Sequence, residues 1–213
     1  MKPDFAFPYR LYLVLSEADC RGRNPLWVAE EAILGGVDII QLREKHASND
    51  VFQKKATQLK AVTDRYGIPL IINDNLTVAM AVGAFGIHVG RQDIPPSEVR
   101  NAWPDCRLLG YSIERLAQLQ HSETAVADCL GVSPIFRTAT KTDTIAEWGI
   151  TGIRQLRNLT GKPLIAIGRM NRENVADAIR AGADCVAVVS AICATDSPRT
   201  AATELKELIN NAI

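Results

Sequence analysis

The chain has 213 residues, 47% of them hydrophobic, and its 24 basic side chains balance its 24 acidic ones. That length fits one large domain or at most two small ones. A formal charge of zero argues against a protein that holds nucleic acid or a membrane surface through its overall field. No apolar run is long enough to span a bilayer, and no signal peptide is expected ahead of the first strand candidate. The cysteines (Cys20, Cys106, Cys129, Cys185, Cys193) are scattered without metal-ligand spacing. They are expected as buried thiols in a reducing compartment, which makes the cytoplasm the expected location.

Short β-rich runs alternate with helical patterns along the whole chain. Strands are expected at Arg10–Leu15, Asp38–Leu42, Pro69–Asn73, Gly86–Val89, Arg107–Tyr111, Cys129–Val132, Pro163–Ile167 and Cys185–Val189. Helices are expected at Leu26–Leu34, Asp50–Tyr66, Thr77–Val82, Ser97–Ala102, Arg115–His121, Ile150–Asn158, Arg172–Ala181 and Arg199–Ile213. The joints Gly35-Gly36-Val37-Asp38, Gly83-Ala84-Phe85-Gly86 and Gly182-Ala183-Asp184-Cys185 resemble one another. Each offers a glycine for the left-handed cap that returns a helix to a parallel strand. Strict alternation implies a parallel sheet, and eight units in this length imply an α/β protein: a single (β/α)8 TIM barrel over residues 1–213. A doubly wound open sheet is the alternative, but no Gly-x-Gly-x-x-Gly turn follows the first strand.

A barrel concentrates its chemistry at the C-terminal ends of its strands. Polar groups recur there: Gln41, Arg43 and Lys45; Asn73 and Asp74; Arg91 through Asp93; Ser112; Thr138 to Lys141; Gly168; Ser190. Alternation puts Gln41, Arg43 and Lys45 on one strand face, where an amide and two cations suit a phosphate or pyrophosphate. The plain alternative is a solvated strand end. Asp74 and Asp93 follow neighbouring strands, and two hard oxygen ligands beside a polyanion suit Mg2+. Taken singly, Asp74 reads as a helix N-cap and Asp93 as a loop opener. The loop from Ser133 to Lys141 carries two hydroxyls and a lysine for phosphoryl oxygens. Gly168 and Ser190 fall where the loops after strands seven and eight form the recurrent phosphate cup of such barrels. His88, in mid-strand between Ile87 and Val89, reads as a hydrogen-bonded core histidine.

Five strings in order carry a family resemblance: Gln-Leu-Arg-Glu-Lys at 41–45, Ile-Asn-Asp at 72–74, Gly-Ile-His-Val-Gly-Arg-Gln-Asp at 86–93, Gly-Tyr-Ser at 110–112 and Pro-Ile-Phe-Arg-Thr-Ala-Thr-Lys at 134–141. With them the chain resembles the thiamine-phosphate synthase (thiamine-phosphate pyrophosphorylase) family over nearly its whole length. The resemblance implies a transferase of thiamine biosynthesis. Its substrates would be 4-amino-2-methyl-5-hydroxymethylpyrimidine pyrophosphate and 4-methyl-5-(2-phosphoethyl)thiazole, its products thiamine phosphate and pyrophosphate, and its displacement dissociative with Mg2+ as cofactor. It implies that Gln41, Arg43, Lys45, Asn73 and Lys141 hold pyrophosphate, with the metal on Asp74 and Asp93. Ser112 would contact pyrimidine or pyrophosphate; Thr138, Thr140, Gly168, Val189 and Ser190 would hold the thiazole phosphate. Lys141, Arg43 and Ser112 are the expected catalytic groups.

The chain departs from the family pattern at Asn75, where arginine is usual, at Glu114, where a histidine is common, and at Ser133 and Arg169, where glycines are usual. Arg169 would either strain the phosphate cup or grip the phosphate with its guanidinium. A thiazole tautomerase-like isomerase on the same barrel, a phosphosugar-type isomerase and a non-catalytic sensor of thiamine intermediates are the competing readings. The expected partners are small molecules, with no nucleic acid and no membrane; the sequence leaves a homo-oligomer open.

Overall fold

The computed structural model describes residues 7–137 and 147–213. Eight parallel strands close into a barrel in chain order: β1 (Leu11–Leu15), β2 (Ile39–Leu42), β3 (Leu70–Asn73), β4 (Gly86–Val89), β5 (Leu108–Ile113), β6 (Cys129–Val132), β7 (Leu164–Ile167) and β8 (Cys185–Val188), with β8 paired back to β1. The helices among the described residues are α1 (Pro25–Leu34), α2 (Asn49–Arg65), α3 (Leu76–Ala81), α4 (Pro96–Ala102), α5 (Ser122–Val126), α6 (Gly149–Leu159), α7 (Val175–Arg180), α8 (Ser190–Cys193) and α9 (Pro198–Asn210). No helix of the described residues is long and apolar enough to cross a membrane.

Local chemistry accounts for the main elements. In α2 the Ser48 hydroxyl accepts from the Val51 N–H, and Phe52, Ala56, Leu59 and Thr63 recur at the helical period on its buried face. Asn24 caps α1 and Ser197 caps α9 in the same way, each with proline in the first turn. These two helices pack closely: a Cβ on Gly35 would lie 2.4 Å from the Arg199 carbonyl oxygen. The segment from Arg115 to His121 departs from the expected α-helix. It forms a 3-10 turn over Leu116–Gln120, because the Gln118 side-chain oxygen accepts the Glu114 and Arg115 N–H groups and tightens the entry. Helix α5 follows it.

Strand alternation separates two cores. Leu11, Leu13, Leu15, Ile40, Leu42, Ile72, Ile87, Leu109, Leu130, Leu164 and Val186 face outward into the helices. Tyr12, Val14, Ile39, Ile71, Leu108, Cys129, Ile165, Cys185 and Ala187 fill the barrel interior. Continuing that inner parity toward the C-terminal rim gives Gln41, Asn73, His88, Ser112 and Ser133, so the interior changes from apolar to polar along its axis.

The opposite rim is fastened by a repeated device. Asp38 accepts the Arg10 and Leu11 N–H groups at 2.8 Å each and pairs with Lys206 at 2.5 Å. Asp184 accepts the Leu164 N–H and the Arg157 guanidinium, both at 2.8 Å. Asp128 accepts the Leu109 N–H at 2.7 Å and pairs with Arg100. Each carboxylate satisfies the start of a strand and ties it to a helix. At Gly86 a side chain is impossible, since its Cβ would fall 1.9 Å from the Leu108 carbonyl oxygen. Phe85 instead lies beneath the Arg107 guanidinium there.

Candidate active site

A cavity of about 550 Å³ opens at the C-terminal rim of the strands. Gln41, Arg43, Lys45, Asn73, Asp74, Asp93, Ser112, Gly168, Arg169, Val189 and Ser190 all line it, so every expected site residue within the described chain meets at one mouth. Thr138, Thr140 and Lys141 lie outside the described residues. The cavity's apolar floor includes Tyr12, Val14, Ile165 and Ala187 of the barrel interior.

The depth of each group separates its possible work. Gln41 is buried, and its Nε2 donates to the Tyr12 hydroxyl at 2.8 Å. Tyr12 itself is buried on the floor, and burial raises its hydroxyl well above the usual range. Arg43 is half-buried and Lys45 is exposed, so the cations of this strand end stand above the amide, toward solvent. On the outward side of the same turn, Glu44 accepts the Glu17 N–H at 2.7 Å and pairs with Lys55 at 2.8 Å. That anchor restrains the turn carrying the two cations.

Asn73 and Asp74 both line the cavity, which strict alternation along a strand would forbid. The backbone resolves this: Asp74 is left-handed, with φ 61°, and its N–H donates to the His88 carbonyl at 2.9 Å. A single residue in this conformation turns a second side chain into the mouth, and outside glycine it is uncommon. The N-cap of α3 is therefore not Asp74 but Asn75, whose side chain accepts the Val78 N–H and donates to Asn49. An arginine at 75 could not make that cap.

Asp93 accepts the Gly90 N–H at 2.7 Å, which folds the loop after β4 back on itself. Its carboxyl shares the cavity lining with that of Asp74 and acts on it. Burial, then the hydrogen bond and the repulsion of Asp93, push the Asp74 carboxyl up to about 7; Lys45, 3.7 Å away, pulls it back. Among the described residues no group of three or more His, Cys, Asp or Glu side chains stands together as a complete metal cage. A pair of carboxylates in one lining with the cations Arg43 and Lys45 nevertheless fits a metal that completes its shell with water and substrate oxygens.

His88 corrects an expectation. It is hydrogen-bonded, as expected, but its ring lies in the barrel mouth and its Nε2 is 2.8 Å from the Ser112 hydroxyl. Two strand glycines make room for it. A Cβ on Gly110 would sit 2.3 Å from His88 Nδ1, and one on Gly131 would sit 2.9 Å from Cε1. Glycines inside buried strands mark such close approaches, and that was the available signal in the sequence. Asp19 was missed as well: it lines the mouth on the turn after β1, where Ser16 donates to its carboxylate at 2.5 Å.

Across the cavity, Gly168 and Arg169 turn the chain out of β7. Gly168 has φ 115°, and a Cβ there would come within 2.8 Å of Pro134 and 2.9 Å of the Ile135 nitrogen. Glycine is required at this position on both counts. Arg169 follows at φ 53°, left-handed despite its side chain, and its carbonyl accepts from Asn174 Nδ2 at 3.1 Å. Val189 and Ser190 follow at the end of the adjacent strand β8, at the start of α8. Ser133, buried and part of the lining, occupies the rim of β6.

A closed parallel barrel with cations, paired carboxyls and a glycine-turned cup at its catalytic rim defines a class: barrel proteins equipped to handle phosphorylated small molecules. The comparisons narrow that class. Residues 11–192 match the family model described as thiamine monophosphate synthase, and the chain belongs to that family. Among curated relatives, thiamine-phosphate synthase of Albidiferax ferrireducens is 44% identical over 94% of this chain and 92% of its own length. The enzyme of the same name from Chloroflexus aurantiacus is also 44% identical, over 95% of this chain and 93% of its own. The solved structure of thiamine phosphate pyrophosphorylase from Pyrococcus furiosus superposes with a TM-score of 0.87 at 27% identity, covering 97% of this chain and 98% of that one.

Proposed function

We propose that the chain is a thiamine-phosphate synthase. It joins 4-amino-2-methyl-5-hydroxymethylpyrimidine pyrophosphate to 4-methyl-5-(2-phosphoethyl)thiazole and releases pyrophosphate. Family membership and the full-length relatives support the reaction. The observation that carries the assignment of roles is the arrangement of one cavity: Arg43, Lys45 and the Asp74–Asp93 pair stand on one side, with the Gly168–Arg169 turn and Ser190 on the other. Two anionic substrates need two such places, with room between them for the bond that forms.

Arg43 and Lys45, with Lys141, hold the pyrophosphate and take up the negative charge that grows as it departs. Asn73 orients it. Asp74 and Asp93 would hold Mg2+, whose charge neutralises pyrophosphate oxygens when it is bound. Gln41, set by Tyr12, would join the pyrophosphate ligands from below the cations, and Ser112, set by His88, would contact pyrimidine or pyrophosphate. The electron-rich aminopyrimidine stabilises its methylene as the C–O bond breaks, and the thiazole nitrogen then forms the new C–N bond. No general base is needed, because the attacking nitrogen carries no proton. Gly168, Arg169, Val189 and Ser190, with Thr138 and Thr140, hold the thiazole phosphate. The apolar floor excludes water that would otherwise capture the cation.

The division of roles has a kinetic test. Arg43→Ala and Lys141→Ala are expected to lower kcat by on the order of a hundredfold, since each removes a donor to charge that develops in the transition state. A rise in the thiazole KM with kcat unchanged would move those residues to the other half of the cavity.

A further inference from the structure

Helix α8 has only four residues, Ser190–Cys193, and its first residue borders the mouth of the cavity. A helix this short cannot hold its own position; what its ends grip must fix it. At its far end the orphan carbonyls of Cys193 and Thr195 both accept from the Arg23 guanidinium, one through each terminal nitrogen. The remaining guanidinium nitrogen, Nε, donates to the Cys20 carbonyl at 3.2 Å. Each of the three Arg23 guanidinium nitrogens thus donates to a backbone oxygen.

The other end of this bridge is equally defined. Cys20 closes the 3-10 turn Ala18–Cys20, which also carries the mouth-lining Asp19. Its thiol donates to the Ser16 carbonyl at 3.2 Å, and the Arg23 N–H donates to the Cys20 carbonyl at 3.1 Å. The turn after β1 and the helix after β8 are neighbours only because the barrel closes there. We infer that Arg23 is a positioning residue for the phosphate of the thiazole substrate. It clamps the C-terminal end of α8 to the turn after β1 and so fixes where Val189 and Ser190 present their backbone and hydroxyl donors. Arg23 does not line the main cavity, so it acts through α8 and not by contact with substrate. This inference rests on the assignment of the Gly168–Ser190 side of the cavity to the thiazole phosphate.

The test compares the parent protein with Arg23→Ala and Arg23→Lys, measuring both substrate KM values, kcat, the thermal midpoint and direct binding of the thiazole phosphate by calorimetry. Arg23→Ala is expected to raise the thiazole-phosphate KM and Kd by roughly tenfold, the size of effect carried by a residue acting through a neighbour, and to leave the pyrimidine-pyrophosphate KM unmoved. Arg23→Lys keeps the charge but cannot span three carbonyls, so it is expected to fall between. A purely structural role would lower the thermal midpoint and shift both KM values together, and that outcome overturns the inference. If Arg23→Ala does not fold, Arg23→Lys decides alone, and an unchanged thiazole-phosphate Kd in it is equally contrary. An active parent with an unmoved thiazole KM in both variants overturns the clamp and leaves the proposed function standing. A parent that makes no thiamine phosphate overturns both.

Discussion

Arg169 and Asp74 share one conformational peculiarity with different consequences. Both are non-glycine residues held left-handed, with φ 53° and φ 61°. At Asp74 the strain aims a carboxyl into the mouth that alternation would have turned away. At Arg169 the backbone follows the course a glycine would take, and the guanidinium is added at the mouth. We propose that the two sequence-based alternatives for Arg169, strain and grip, coexist. Arg169→Gly is expected to stabilise the fold by about 1 kcal/mol, the cost of a left-handed L-residue, while weakening thiazole-phosphate binding. Thermal melts and calorimetry read the two effects separately, and a glycine variant that binds more tightly would show that the guanidinium contributes no grip. The sequence made Arg169 conspicuous only against a family pattern; its φ depends on the path from β7 past Pro134 and Ile135, which no local signal encodes.

At the scale of elements, the barrel was legible because its signals are local. The runs at Gly86–Val89 and Cys129–Val132 have the bounds the sequence suggested, and most other strands differ by one residue at an end. Gly36, Gly83 and Gly182 all take positive φ at their joints, as the repeated helix-to-strand pattern implied. What local signals could not supply was depth across strands. His88 looked like core because its neighbours are apolar; its exposure to the mouth depends on Gly110 and Gly131, one and two strands away. The turn from β7 into the cup yields a graded prediction. Gly168→Ala combines a forbidden φ with contacts under 3 Å to Pro134 and Ile135, so it is expected to damage thiazole-phosphate binding and fold together. Asn75→Ala removes only a cap and is expected to cost about 1 kcal/mol with little change in KM. Denaturant melts of the two variants check the order; an Asn75→Ala loss equal to that of Gly168→Ala would mean that the cup is not the tighter constraint.

At the scale of the molecule, the two ends of the barrel divide stability from chemistry. Asp38, Asp128 and Asp184 are each met by a strand N–H and a cation at the stabilising rim. At the other rim Asp74 lies against Asp93 with its carboxyl raised from 3.8 to about 7. A raised folded-state value means that deprotonation costs stability. In the metal-free protein this group's contribution is therefore intact below 3.8 and is lost as pH rises through about 7. A divalent cation between the carboxylates would remove that cost. Mg2+ is thus expected to raise the thermal midpoint at about pH 8 and to have little effect at about pH 5, where a proton already occupies the pair. Equal stabilisation at both pH values would place the ion elsewhere.

The central claim is that one cavity brings a pyrophosphorylated pyrimidine and a phosphorylated thiazole together. The most direct measurement incubates the purified protein with both substrates and Mg2+ and follows thiamine phosphate and pyrophosphate by chromatography. Both products are expected in equal amounts, chelation is expected to stop the reaction and restored Mg2+ to revive it, and Asp74→Ala and Asp93→Ala are each expected to abolish it in a folded protein. Binding of both substrates without product, or undiminished turnover in excess chelator, would contradict it.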